Sequence, residues 1–130
     1  MKTHILLVDD DIDEMKIFVE ALKDVVGAFK CTYASNGGHA LKMLLFLRPQ
    51  VIFADYNMPL MNGLDLAKAI REVPELKHIP LFLYSTHINI DILQKAKRAG
   101  VTGCMVKPNT IGQLSEMLKT VLPTAIMPSP

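Results

Sequence analysis

Five short apolar segments, His4–Val8, Lys30–Ala34, Val51–Ala54, Ile79–Tyr84 and Thr102–Val106, punctuate the chain, and stretches of helical spacing separate them. The first, third and fourth are nearly continuous in Ile, Leu, Val and Phe, the pattern of strands buried on both faces of a parallel sheet. The second, KCTYA, is more polar and suits an edge strand. Between them Met15, Phe18, Val19, Leu22 and Val26 recur at steps of three and four, as do Ala40, Met43, Leu44 and Leu47. A third and shortest helix is expected over about 64–72, closed off by Pro74. A fourth carries Leu93, Ala96 and Ala99, and a fifth Ile111, Leu114, Leu118 and Val121. Thr110 with Gln113 three residues on is a capping-box pattern for the start of the fifth helix.

Strand and helix alternating five times predict an α/β fold with helices on both faces of one sheet. Right-handed crossovers reduce the arrangements to a doubly wound, five-stranded parallel sheet, with 2-1-3-4-5 as the expected order. At 130 residues the chain fits one domain, expected over 1–122, with a flexible Pro-rich tail over 123–130. Half of the residues are hydrophobic, which excludes intrinsic disorder. No apolar run approaches the roughly 20 residues of a membrane span, and no signal peptide is evident. A net charge of +1 without a basic block gives no support for direct nucleic-acid binding. Cys31 and Cys104 form no CxxC pair and the four histidines are scattered, so neither a disulfide framework nor a zinc site is indicated. A cytoplasmic protein is the expectation.

In an open α/β sheet ligands bind beyond the carboxyl ends of the strands, where strand order reverses. The first strand ends in Asp9-Asp10-Asp11, followed by Asp13 and Glu14, which puts five of the 13 acids within six residues. The third ends in Asp55, the fourth in Ser85-Thr86 and the fifth in Lys107-Pro108. Neighbouring first and third strands would bring Asp9, Asp10 and Asp55 together. Two unit charges about 4 Å apart repel by roughly 4 kcal/mol at an effective dielectric of 20. Such a cluster calls for a cation, and hard oxygen donors favour Mg²⁺. Asp11, Asp13 and Glu14 are better explained as a solvated acidic helix start. Lys107 would emerge at the same rim, able to pair with Asp55 at rest and to hold phosphoryl oxygens later.

On the stretches ILLVDDD, VIFADYNMPLMNG, IPLFLYST and MVKP, the chain resembles a two-component response-regulator receiver domain from about His4 to Leu122. The resemblance implies the flavodoxin-like receiver fold and a signalling role without enzymatic turnover. It makes Asp55 the phosphoacceptor, charged by a sensor histidine kinase or a histidine phosphotransfer protein. Asp10 would bind Mg²⁺ directly and Asp9 through water, with Asn57 offering its backbone carbonyl. Ser85 falls at the switch-hydroxyl position. Lys107 and Thr86 fall at phosphate-contacting positions, and Pro108 would follow a cis bond. Cys104 departs from the pattern, since the family usually has Tyr or Phe there, and His87 leaves the phosphoryl lifetime open. Ile12 and Met15 would dock the phosphodonor. The helix 4 to helix 5 face, with Lys95, Lys97 and Arg98, would meet an unknown protein target, with homodimerisation through that face an open alternative. A receiver cut from a longer regulator and a phosphorylation-independent interaction domain are the competing readings.

Overall fold

The computed structural model describes residues 2–126. Apolar runs become strands and periodic stretches become helices in strict alternation. In chain order these are β1 (Thr3–Val8), α1 (Ile12–Lys23), β2 (Phe29–Ala34), α2 (Gly37–Met43), β3 (Val51–Ala54), α3 (Gly63–Arg71), β4 (Leu81–Ser85), α4 (Ile90–Arg98), β5 (Gly103–Val106) and α5 (Ile111–Ile126). All strand pairings are parallel, in the order β2-β1-β3-β4-β5. The expected doubly wound sheet is therefore present, with the polar β2 at one edge.

The period of two along each strand divides the core into two layers. Leu6, Val8, Ile52, Ala54, Leu81 and Leu83 face α2, α3 and α4 through Ala40, Leu66, Ile70, Ile92 and Ala96. Ile5, Leu7, Phe53, Phe82, Tyr84 and Met105 face α1 and α5 through Phe18, Leu22, Leu114 and Leu118. Aromatic rings anchor the second layer, with Phe18 5.0 Å from Phe53 and edge-on to Tyr84 at 5.6 Å. A buried Ser115 hydroxyl donates to the Ala21 carbonyl at 3.1 Å and ties α5 to α1.

Helix starts follow from short polar side chains that accept orphan N–H groups. Asp11 caps α1, Asn36 caps α2 and Asn89 caps α4. Asn62 and Asp65 form a reciprocal capping box on α3. At α5 Thr110 Oγ1 accepts from Gln113 N as expected, but the Gln113 side chain reaches back to Asn109 N, one residue earlier than the motif predicts.

Three expectations need correction. The shortest helix is α2, seven residues long, rather than α3. Beyond Met43 the chain tightens into turns, with Leu45 N on Lys42 O and Phe46 N on Met43 O, and Arg48 satisfies the Leu44 and Leu47 carbonyls. Helix α5 runs to Ile126, past the expected boundary at Leu122, with Pro123 inside it. Proline removes one N–H from the helix ladder, and Ala125, two residues on, still packs on the core. Of the expected tail, residues 127–130 lie outside the described residues. The Lys107–Pro108 bond is trans, as are all peptide bonds among the described residues. Trans is the favoured isomer by roughly 0.5–1 kcal/mol for a bond to proline, and Lys107 reaches its partners with the bond in that form.

Candidate functional site

The sheet ladder continues one residue past the strands and fixes the base of the site. Asp9 N donates to Ala34 O at 3.1 Å, Asp55 N to Val8 O at 2.9 Å, and Lys107 N to Ser85 O at 2.8 Å. Leu7 pairs with Phe53, so two residues on Asp9 stands beside Asp55 on the same face.

Asp55 is almost fully buried and all of its carboxylate is engaged. Oδ1 accepts from the Ser85 hydroxyl at 2.9 Å and from Asn57 N at 3.1 Å, while Oδ2 accepts from the Lys107 ammonium at 3.0 Å. Asp9, 1% exposed, accepts from Asp11 N at 3.0 Å and from Lys107 at 2.8 Å. Burial pushes its carboxyl up to about 6, even though the bonds from Lys107 and Asp11 pull it down. Burial opposes the charge of Lys107, yet the bonds to Asp9 and Asp55 outweigh it and hold the ammonium above its usual range. The ammonium also lies 5.4 Å from the Tyr84 ring centroid, within reach of a cation–π contact.

Oxygens of Asp9, Asp10 and Asp55 all lie within 4.8 Å of one another, with Asp10 the exposed member. Hard oxygen donors at that spacing fit a small divalent cation held by one or two carboxylates with water completing the shell. One ammonium leaves the cluster short of positive charge, and a cation would supply it.

The expected residues therefore converge, with differences of detail. Ser85 is fully buried on Asp55, and Asn57 contributes its N–H to the same carboxylate. Thr86 is exposed and lines a cleft of about 340 Å³ with Glu14, Tyr84, Lys107 and Pro108. His87 is exposed. Cys104 is half-buried, paired with Leu83 and packed on the α3–α4 layer, and burial pushes its thiol up, away from thiolate chemistry. With no aromatic ring at that position, Cys104 borders an open groove of about 290 Å³ with Leu93, Ala96 and Lys97. Ile12 is 54% exposed, but Met15 turns inward onto Cys31, 3.7 Å between sulfurs.

Sequence reasoning missed three contributors. Glu14, expected in a solvated helix start, reaches to 3.7 Å from the Lys107 ammonium with its side chain 21% exposed. Its position in the first turn of α1 is the signal, because helical side chains lean toward the N-terminus. The Tyr33 hydroxyl donates to the Asp9 carbonyl at 2.6 Å. Gly63 lies so near Asp55 that an added Cβ would meet the Asp55 carbonyl oxygen at 2.6 Å.

Residues 5–119 match the family model described as the response regulator receiver domain. The chain is 35% identical over 116 residues to the chemotaxis protein CheY of Pseudomonas aeruginosa, covering 89% of this chain and 94% of that one. It is equally identical, over 120 residues, to CheY1 of Helicobacter pylori, covering 92% and 97%. The solved structure of the Vibrio cholerae chemotaxis protein CheY4 superposes with a TM-score of 0.82 at 30% identity, covering 93% of this chain and 99% of that one. With the fold, the carboxylate cluster and these relatives in agreement, the chain belongs to the response regulator receiver domains.

Proposed function

We propose that this chain is the phosphoacceptor of a two-component phosphorelay, taking a phosphoryl group on Asp55 from a histidine kinase or a histidine phosphotransfer protein in the cytoplasm. The observation that carries the reading is the engagement of the buried Asp55 carboxylate by Ser85 and Lys107 beside two further carboxylates. That is the composition needed to accept a transferring phosphoryl group, whose charge must be balanced on three equatorial oxygens. An Asp55 oxygen attacks phosphorus in line. The bond from phosphorus to the donor imidazole breaks, its electron pair leaves with the ring, and an acyl phosphate forms on Asp55. The residues suited to hold Mg²⁺ are Asp9, Asp10 and Asp55, with the Asn57 carbonyl as a fourth donor. Bound there, Mg²⁺ supplies charge neutralisation for the phosphoryl oxygens. Lys107 exchanges its carboxylate partners for one phosphoryl oxygen, and Ser85 turns its hydroxyl to another.

The new group carries close to two negative charges. Movement of Ser85 toward it draws the loop after β4 with it and biases the face between α4 and α5, where Ile90, Leu93, Val106 and Ile111 are exposed. That face is the proposed contact for a protein target. The chain is altered by the reaction and does not turn over, so its activity is signalling.

Intact mass after incubation with acetyl phosphate tests this reading. Wild type should gain one phosphoryl mass in the presence of Mg²⁺ and lose that gain in chelator, and Asp55→Asn should gain none. Phosphorylation of Asp55→Asn to the wild-type level would move the acceptor elsewhere.

A further inference from the structure

Lys107 faces three acids rather than two: Asp9 at 2.8 Å, Asp55 at 3.0 Å and Glu14 at 3.7 Å. Only the first two belong to the cluster whose oxygens converge within 4.8 Å, the third member there being Asp10. Glu14 stands outside it, in the first turn of α1, and borders the cleft that Lys107 and Tyr84 also line. Asp9 and Asp55, whose Oδ2 atoms Lys107 now holds, are two of the three acids that the cluster would offer to a divalent cation. An ammonium and a divalent cation compete for them, and the ammonium is displaced toward whatever counter-charge is left. It cannot retreat cheaply without a charged partner, because its side chain is only 10% exposed.

We propose that Glu14 is a positioning residue, a second seat for the Lys107 ammonium that frees Asp9 and Asp55 for a divalent cation while keeping Lys107 beside the acceptor. Glu14 is not itself a cation ligand. The inference rests on the reading of Asp9, Asp10 and Asp55 as the cation's donors.

A four-way comparison of Mg²⁺ affinity by calorimetry, on wild type, Glu14→Gln, Lys107→Ala and the double variant, separates the seat from simple charge removal. Deleting one negative charge near the cluster would weaken binding equally in both backgrounds. The seat matters only where Lys107 is present. Glu14→Gln is therefore expected to raise the Mg²⁺ Kd about fivefold in the wild-type background and less than about twofold in the Lys107→Ala background. Equal losses in the two backgrounds, or none in either, would overturn the seat while leaving the cation site standing. A wild type that binds no Mg²⁺ would overturn the cation reading and the seat with it.

A second measurement needs no variant. Amine labelling of Lys107, followed by peptide mass, should stay slow when Mg²⁺ is added to wild type, because Glu14 keeps the ammonium covered. If Mg²⁺ brings its labelling up to the rate of the exposed Lys16, there is no seat.

Discussion

Asp9 shows how burial and charge contend within one side chain. Desolvation raises its carboxyl to about 6, against an ordinary value near 4. Folding thus favours the protonated form. The stability this group contributes is whole below about pH 4 and is lost as the pH rises through about 6. In chelator, wild type should gain about 2 kcal/mol relative to Asp9→Asn between pH 7 and pH 4, read from urea unfolding at each pH. A difference that stays flat across that range would mean Asp9 is better solvated than its 1% exposure implies. Glu14 teaches the complementary lesson. An acid in the first turn of a helix is ordinarily explained by the helix dipole, and for Asp11, which caps α1, and the exposed Asp13 that account suffices. It fails for Glu14 because a lysine from the far end of the sequence arrives at the same place.

At the scale of elements, the start of α3 packs directly against the backbone of Asp55. Gly63 begins α3 with its N–H on the Tyr56 carbonyl, at 3.1 Å. Helix propensity alone would make Gly63→Ala stabilising by up to about 1 kcal/mol. A Cβ there, however, would sit 2.6 Å from both the Asp55 carbonyl oxygen and Leu83 Cδ2. Backbone cannot yield as a flexible side chain does, so overpacking wins. Gly63→Ala should destabilise by about 2 kcal/mol in urea unfolding. The loop between β3 and α3 holds Leu60 at a positive φ of 69°, a conformation uncommon for a residue with a Cβ. A helix from about residue 64 was legible in sequence. Contact of the glycine with the acceptor's backbone was not, because the approach is made by a different element.

Across the whole molecule, the carboxylate cluster couples ligand binding to stability. A cation that binds the folded state alone stabilises it by mass action, by about 2.7 kcal/mol at a hundred times its Kd. Thermal melting should therefore move upward with Mg²⁺ concentration and return in chelator, with Asp55→Asn showing a smaller rise. A melting temperature indifferent to Mg²⁺ would argue against a cation at these three acids.

Much of this was written in the sequence. Apolar runs, helical periods and punctuation by Asn, Gly and Pro carry the order of elements, because periodicity of burial is a local property. Chemistry at the strand ends was equally legible, since Asp9, Asp55 and Lys107 each follow directly on a strand, Asp10 comes one residue later and Ser85 closes β4. What only the tertiary structure decided is how those ends are shared. β5 lies three places from β1 in the sheet. At about 4.8 Å per strand this is about 14 Å, more than a lysine side chain spans. Yet the Lys107 ammonium meets Asp9 at 2.8 Å. The gap is closed by side chains rather than backbone, with Lys107 also meeting Asp55 of the intervening β3 at 3.0 Å, and the first turn of α1 brings Glu14 to the same ammonium. Neither effect leaves a periodic trace along the chain, which is why the acids could be named from sequence while their partnership with Glu14 could not.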